Sequence, residues 1–462
     1  MFGTSGIRGE VGREVTAALA LRVGRALGAE ADRVVVGRDP RASGEPLGDA
    51  LAAGLRELGC DVVDLGLAAT PTIARGVGWW DADAGVAVTA SHNPSPDNGL
   101  KLWQPTGQAY GAEGQARITA RLEAEDPDLR AWDELGDRRT ADAYDRHVEV
   151  LVEAGVAATV ESGGIESGGS HGSARGEGSS HSDGPLDLSV AVDLGNGASG
   201  VTVDALVELG CDVETLNAQP DGRFPGRPSE PTAENCTALQ ALVAAGGYDL
   251  GIAHDGDADR MRVVAGDGTF LAGDTTLALF AADAADPGER VAVPVDTSLA
   301  VEDYLADRDV GVTRTPVGDV HVAEAATGEG VAFGGEPSGA WIWPDQTLCP
   351  DGPLAAVRLA AMAAVEPLES RVDEIPTYPI RRANLELADK EAVMDAVGAR
   401  VRDAYDSVET LDGVRVETAD GWFLVRASGT QPLVRLTAEA RETDRAEALL
   451  EDARGIVEDE LA

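Results

Sequence analysis

The sequence predicts an α/β protein: three related α/β domains with mixed sheets covered by helices, followed by a C-terminal α+β domain. Three observations carry that expectation. Val-rich apolar runs alternate with helical stretches, one β-α-β pattern occurs three times, and the rhythm changes beyond about residue 371. The 462 residues are enough for two to four domains at about 100–200 residues each. With 43% hydrophobic and 26% charged residues the composition is that of ordinary globular domains, which excludes collagen-like, mostly disordered and disulfide-scaffold classes.

The first copy begins with a short apolar strand, Arg33 to Asp39. A helical stretch ends at Glu57-Leu58-Gly59-Cys60-Asp61 and a second strand, Val62 to Leu65, follows. The plan returns at Leu188 to Asp193, with an intervening helix and the near-identical Glu208-Leu209-Gly210-Cys211-Asp212-Val213. A fainter third copy has a strand at Val291 to Val295, a helix around Leu299 to Leu305 and a strand at Val310 to Thr313. Continuous Val-rich strands alternating with helices imply parallel or mixed sheets covered on both faces. The last region reads as a strand at Tyr378 to Ala383, a helix from Lys390 to Tyr405, strands at Val414 to Glu417, Trp422 to Arg426 and Val434 to Glu439, and a closing helix. That order predicts an antiparallel sheet with helices on one face. The expected domains are 1–150, 151–265, 266–370 and 371–462. Between the first two, residues 161–185 are almost wholly Gly, Ser, His, Glu and Asp, too poor in apolar groups to offset chain entropy, so a mobile insertion is expected there and His171 and His181 receive no role.

Charge is the abnormal feature. Acidic residues number 81 against 37 basic, a formal net of -44 spread along the whole chain rather than gathered in a tail. Lys101 and Lys390 are the only lysines; every other positive side chain is arginine. Acid-rich surfaces of this kind are a halophile's lever, and a salt-rich cytoplasm is the expected setting. Nucleic-acid partners are disfavoured because no basic run could release phosphate counterions. Cys60, Cys211, Cys236 and Cys349 form no C-x-x-C pair, so neither a zinc knuckle nor a disulfide framework is indicated. No stretch approaches the roughly 18 apolar residues of a spanning helix and no signal-peptide h-region is visible, so a cytoplasmic protein without membrane contact is expected. No oligomer signature is readable.

Four stretches carry chemistry. Thr89-Ala90-Ser91-His92-Asn93-Pro94, with Asn98-Gly99-Leu100-Lys101 after it, follows the apolar strand Gly85 to Val88. A strand-end loop suits a nucleophile, although a turn in which Ser91 merely caps a helix reads equally well from this segment alone. Asp255-Gly256-Asp257-Ala258-Asp259-Arg260 follows the strand Leu250 to Ala253. Carboxylates at i, i+2 and i+4 can converge on one hard cation such as Mg²⁺, and Arg260 beside them suits a phosphate. An EF-hand would need glycine and glutamate at its sixth and twelfth positions, where Arg260 and Gly266 stand. Gly334-Gly335-Glu336-Pro337-Ser338-Gly339, after a strand at Val331 to Phe333, offers Glu336 and Ser338 to sugar hydroxyls. Arg426-Ala427-Ser428-Gly429-Thr430-Gln431-Pro432, with Arg435 beyond, has the hydroxyls, turn amides and guanidinium groups of a phosphate nest. No G-x-x-x-x-G-K-S/T or G-x-G-x-x-G occurs, which removes the main support for kinase and Rossmann readings.

Together with the opening Phe2-Gly3-Thr4-Ser5-Gly6-Ile7-Arg8-Gly9, these loops closely resemble the α-D-phosphohexomutase superfamily over the whole chain and in family order. The resemblance implies four domains around a central cleft and a reversible exchange of hexose 6-phosphate and hexose 1-phosphate. Ser91 would be carried as a phosphoserine, with Mg²⁺ held by Asp255, Asp257, Asp259 and the Ser91 phosphate. A sugar 1,6-bisphosphate would be the intermediate and the activator that charges Ser91. Arg426, Ser428, Gly429, Thr430 and Arg435 would grip the non-reacting phosphate, and Glu336 and Ser338 would read ring hydroxyls. Arg8, His92, Lys101 and Arg260 would line the reacting one.

The chain departs from many phosphomannomutases and phosphoglucomutases at Ala340, where they carry a histidine proposed as general base. It departs again at Asp296-Thr297-Ser298 and Val317-Gly318-Asp319, and Val-Gly-Asp resembles the phosphoglucosamine mutases. Glucosamine phosphate is therefore the first expectation, mannose or glucose phosphate the alternative. A non-catalytic sugar-phosphate binding protein is disfavoured because Ser91 is intact. An Asp-x-Asp phosphatase is disfavoured because Asp259 stands where that family wants Thr or Val.

Overall fold

The structure is a computed structural model that describes residues 3, 6–124, 127–161, 184–386, 390–428 and 433–460. It divides into two compact units, Met1–Thr276 with Ser338–Val372, and Leu277–Pro337 with Asp373–Ala462.

The first unit opens with β1 (Ile7–Glu10), α1 (Ala17–Gly28), β2 (Arg33–Arg38), α2 (Gly44–Arg56), β3 (Asp61–Leu67) and α3 (Thr70–Trp79). Then come β4 (Ala84–Val88), β5 (Asp97–Trp103), α4 (Ala112–Ala124), β6 (Arg138–Thr140) and α5 (Tyr144–Glu161). Their sheet has the order β1-β5-β4-β2-β3-β6, with β2, β3, β4 and β6 parallel and β5 antiparallel to both neighbours. The second repeat supplies β7 (Ser189–Asp193), α6 (Gly200–Glu208), β8 (Asp212–Leu216), α7 (Thr237–Ala244), β9 (Leu250–His254) and β10 (Met261–Ala265), ordered β10-β9-β7-β8. Val34, Val35 and Val36, and Val190, Ala191 and Val192, are buried along their whole runs, as strands covered on both faces must be.

Helix α8 (Gly273–Ala284) runs across the division, and the second unit continues with β11 (Arg290–Pro294), α9 (Leu299–Ala306), β12 (Gly311–Thr315), α10 (Asp319–Ala326) and β13 (Val331–Glu336). Here β11 pairs in parallel with both β12 and β13, so the faint third copy is fully formed. Strand β14 (Ala340–Ile342) and helices α11 (Gly352–Val365) and α12 (Leu368–Val372) belong to the first unit. The chain ends in the second unit with β15 (Ile380–Glu386), α13 (Lys390–Ala404), β16 (Val408–Glu409), β17 (Val414–Glu417), β18 (Gly421–Ala427), β19 (Leu433–Ala440) and α14 (Thr443–Asp459). Their antiparallel sheet runs β15-β19-β18-β17-β16, the α+β layer expected.

Two details correct the reading from sequence. Strand β15 starts at Ile380 rather than Tyr378, because Pro379 has no N–H for the ladder and the Tyr378 hydroxyl instead donates to Asp303 at 2.8 Å. Gly334, Gly335 and Glu336 belong to β13 rather than to the loop after it; a Cβ on Gly334 would lie 2.8 Å from the Val322 side chain, so glycine lets α10 press against the strand. The expected insertion, with His171 and His181, falls almost wholly outside the described residues. Among the described residues no helix is long and apolar enough to cross a membrane.

Helices α1 and α2 cross at glycines. A Cβ on Gly24 would stand 2.2 Å from the Leu51 carbonyl oxygen, and one on Gly54 would stand 2.1 Å from that of Leu21. Gly54→Ala should therefore lower the thermal unfolding midpoint. The overlap costs about 1–3 kcal/mol or more, against a helix-propensity gain of only about 1 kcal/mol; a raised midpoint would refute this packing.

Candidate active site

Ser91 leaves the end of β4 with a φ of +50°, a left-handed conformation that costs a non-glycine residue about 1–3 kcal/mol and must be held by its surroundings. It is not a helix cap: residues 91–93 form a turn and β5 comes next. The Ser91 amide donates to Thr89 Oγ1 at 2.8 Å, and Thr89 Oγ1 donates to Asp39 Oδ2 at 2.8 Å. Arg41, almost fully buried, does most of the holding. Its Nε donates to Asp39 Oδ2 at 2.8 Å, while its terminal nitrogens reach the carbonyls of Ser91 (2.9 Å), Asn93 (2.6 Å), Pro94 (2.6 Å) and Asp97 (2.9 Å). From the second repeat, Ser229 Oγ donates to the same Ser91 carbonyl at 2.8 Å and accepts from the Gly256 amide at 3.0 Å.

That last pair ties the Ser91 loop to the aspartate loop between β9 and β10. Ser91 Oγ lies 2.6 Å from Asp255 Oδ2, 3.2 Å from Asp259 Oδ1 and 3.3 Å from His92 Nδ1. Asp255, Asp257 and Asp259 each offer a carboxylate oxygen within 4.8 Å of the others. Asp257 Oδ2 accepts from Thr70 Oγ1 at 2.6 Å, whereas its Oδ1 is buried and has no hydrogen-bond partner. The curl of the loop needs Ala258 at φ +60° and glycine at 256, where a Cβ would lie 2.8 Å from Ser229 Oγ and 3.0 Å from the Ser91 carbonyl. A device seen in the first repeat recurs here. Asp193, at the end of the first strand, pairs with buried Arg227 at 2.7 Å, and Arg227 donates to the His254 carbonyl at 2.6 Å, one residue before Asp255.

Electrostatics set the cluster apart. Burial, then the charges of Asp259 and Asp257, push Asp255 well above the ordinary carboxylate range, and burial with Asp259 pushes Asp257 up to about 6. Burial also acts on Asp259, but Lys101, Arg260 and Arg8 outweigh it and hold that carboxyl below its usual range; Lys101 Nζ is 3.6 Å from Asp259 Oδ2. Burial, then Arg260 and Arg8, lower His92 to about 3, so its imidazole is neutral near pH 7. Arg8, on β1, presents a buried Nε with no hydrogen-bond partner. An all-oxygen donor set, an orphaned carboxylate oxygen and carboxylates driven toward protonation by one another fit a hard divalent cation. The unpartnered Arg8 donor, with Lys101 and Arg260, fits a phosphate beside it.

The second unit, by itself, holds Glu336 and the two arginines of the predicted phosphate nest. Glu336, buried at the end of β13, accepts from the Gly318 amide at 2.8 Å. Arg426 and Arg435 stand directly opposite each other on β18 and β19. Like charges opposed in a sheet repel, so the pair suits an anion. Asp412 Oδ2 holds Arg426 at 2.8 Å and accepts from the Val317 amide at 3.2 Å, linking the arginine strand to the Val-Gly-Asp turn. Lys390 Nζ donates to the Ser428 carbonyl. Gly429 and Thr430 lie outside the described residues. Ser338 falls in the first unit, beside Gly339, whose carbonyl accepts from the Met261 amide at 3.0 Å.

Sequence reasoning missed Asp39, Arg41, Thr70, Thr89, Ser229 and Asp412. Apart from Thr89, which opens the Ser91 segment but was given no role, none lies in a recognisable motif, and each acts on a residue distant in the chain or buried with it. Lys390 had a signal, since it is one of only two lysines.

Family profiles described as phosphoglucomutase/phosphomannomutase α/β/α domains I, II and III and C-terminal domain match residues 1–128, 176–268, 272–378 and 383–456 in that order. The chain belongs to this mutase family. It is 44% identical to a "probable phosphoglucosamine mutase" of Methanopyrus kandleri, over 99% of this chain and 97% of that one. A protein of the same description from Methanothermobacter thermautotrophicus is 41% identical, over 99% and 98%. Among solved structures, a phosphoglucomutase/phosphomannomutase family protein of Burkholderia thailandensis superposes with a TM-score of 0.83 at 29% identity, covering 100% of this chain and 98% of that one. The mutase is thus a phosphohexomutase-type enzyme, an isomerase working by intramolecular phosphoryl transfer.

In this mutase Arg41→Met should leave the Ser91 turn without its central donor. A displacement of about 1 Å at a reacting atom costs about 100-fold in rate, so kcat should fall by about that factor while near-ultraviolet circular dichroism stays native. Undiminished turnover would refute the role given to Arg41.

Proposed function

We propose that the chain is a phosphoglucosamine mutase, interconverting glucosamine 6-phosphate and glucosamine 1-phosphate through a phosphoserine at Ser91 and a 1,6-bisphosphate. The observation that carries the chemistry is the Ser91 hydroxyl 2.6 Å from Asp255 Oδ2, at the edge of a three-aspartate cluster. The sugar is supported by the names of the relatives and by Val317-Gly318-Asp319. Mannose and glucose phosphates are the second reading, favoured by the description of the matching family.

Asp255, Asp257 and Asp259 would hold Mg²⁺ with an oxygen of the Ser91 phosphate. The ion, when bound, neutralises charge on the phosphoryl group as it moves. Lys101, Arg8 and Arg260, whose charges act on Asp259, would surround that group, and neutral His92 has a ring nitrogen 3.3 Å from Ser91 Oγ. In transfer the phosphorus–Oγ bond of phosphoserine breaks as the bond to sugar O1 forms, and in net the O1 proton ends on the Ser91 hydroxyl. After the bisphosphate turns over, the phosphoryl group at O6 returns to Ser91. Glu336 and Ser338 would read ring hydroxyls, and Arg426, Ser428, Gly429, Thr430 and Arg435 would take the resting phosphate. A sugar 1,6-bisphosphate would charge the serine of uncharged enzyme. The net charge of -44 and the near absence of lysine support a salt-rich cytoplasm as the working environment.

Intact-mass measurement should show a single phosphate added by a sugar 1,6-bisphosphate and removed by the 6-phosphate sugar. Ser91→Ala should abolish both the mass change and turnover, and turnover surviving in that variant would overturn the covalent route. Initial rates with glucosamine, mannose and glucose phosphates in molar KCl with Mg²⁺ should be highest for glucosamine. Asp412→Asn, which loosens Arg426, should raise KM for the sugar phosphate about tenfold, the equivalent of about 1.4 kcal/mol, with a smaller change in kcat.

A further inference from the structure

Thr70 is the first residue of α3, yet its hydroxyl does not cap that helix; the capping position is Ala69 and makes no side-chain bond. Fully buried, the hydroxyl donates to Asp257 Oδ2 at 2.6 Å, and the Thr70 amide donates to the Asp257 carbonyl at 2.8 Å. Both ends of one aspartate are thus held by one residue of the first repeat. The oxygen left over, Asp257 Oδ1, is buried and has no hydrogen-bond partner.

The rest of α3 explains why this grip is stiff. One turn on, Arg75 Nε donates to Asp351 Oδ2 at 2.9 Å, and Asp351 caps α11 by accepting from the Leu354 amide at 2.9 Å. The next amide, that of Gly352, donates to the Ala258 carbonyl at 3.2 Å. A Cβ at 352 would lie 2.8 Å from that oxygen and 2.6 Å from the Arg260 carbonyl, so only glycine lets α11 start so close to the aspartate loop. The path from Thr70 along α3, through Arg75, Asp351 and Gly352 to Ala258 and Asp257, closes on itself. It fixes the loop at two successive residues, one of them at positive φ.

We infer that Thr70 is a positioning residue that selects which oxygen of Asp257 is offered to the metal: it engages Oδ2 and so presents Oδ1 to the ion. This rests on the metal reading proposed above and deepens it. A carboxylate free to rotate presents either oxygen, or both. Mg²⁺ requires near-ideal octahedral geometry, whereas Ca²⁺ accepts looser and bidentate arrangements. Outer partners of metal ligands change affinity by about 10–100-fold when removed. Loss of the Thr70 hydroxyl should therefore weaken Mg²⁺ more than Ca²⁺.

The test titrates the full-length protein with Mg²⁺, and separately with Ca²⁺, by calorimetry in the absence of sugar. Thr70→Val, which keeps the shape and removes the hydroxyl, should bind Mg²⁺ at least about tenfold more weakly, with a smaller loss for Ca²⁺. Thr70→Ser should bind both ions as the wild type does. Val77→Ala, a buried truncation in the same helix, should lower the melting temperature and leave both affinities unchanged. If Thr70→Val fails to fold, Thr70→Ala is read in its place. Wild-type Mg²⁺ affinity in the hydroxyl-free variant, or an equal loss in Val77→Ala, would overturn the inference. Failure of the wild-type protein itself to bind Mg²⁺ would instead overturn the metal assignment, and this inference with it.

Discussion

Three carboxylates and a serine hydroxyl share one buried site, and much of the surrounding structure serves to keep them there. Like charges this close and this far from water repel strongly, so burial alone would drive the cluster apart or protonate it. Three cationic side chains, Lys101, Arg260 and Arg8, counter that at Asp259, which is why its carboxyl stays ionised while Asp255 and Asp257 are pushed upward. Hydrogen bonds to the main chain do the remaining work. Ser229 reaches both the Ser91 carbonyl and the Gly256 amide, so the Ser91 loop and the aspartate loop cannot move independently.

The fold arrives at this by repetition. In each of the three repeats the third strand lies beside the first, with the second on the far side of the first: β4-β2-β3, β9-β7-β8 and β13-β11-β12. Ser91 follows β4, the aspartates follow β9, and Pro337, Ser338 and Gly339 follow β13. One topological position thus carries all three candidate site loops, at the strand ends where α/β sheets commonly place ligands. The support is repeated too. Asp39 with Arg41, and Asp193 with Arg227, are buried pairs that start at the end of a first strand; Arg41 holds the Ser91 carbonyl in the loop after the third strand, and Arg227 holds the His254 carbonyl at the third strand's last residue. Their guanidinium groups suit this role because one planar fork can serve several carbonyls at once.

The charge of the chain has a local counterpart. Lysine is nearly absent, and both that occur touch site loops: Lys101 at Asp259, where it also stands 4.6 Å over the ring of Trp103, and Lys390 at the carbonyl of Ser428. Elsewhere arginine pairs with the abundant acids, as Arg138 does with Asp49 and Asp64, and Arg314 with Glu302, Glu409 and Glu417.

The sequence by itself determined the repeats and the kinds of sheet, and it singled out Ser91 and the three aspartates as candidates. Those features are local: Val-rich runs bounded by turns set strands, and Asp-Gly-Asp-Ala-Asp concentrates its chemistry in one short stretch. Where local cues were weaker the reading slipped, at Pro379 by an unavailable amide and at Gly334 by a helix that needed the missing side chain's space. Only the tertiary structure decided that Ser91 and Asp255, 164 positions apart in the chain, are within a hydrogen bond. Only it decided that Arg41 and Ser229 hold the Ser91 turn, Thr70 holds Asp257 and Asp412 holds Arg426. Those four are ordinary turn and helix residues in sequence. Their importance comes from partners that chain folding, and no pattern of neighbours, brings to them.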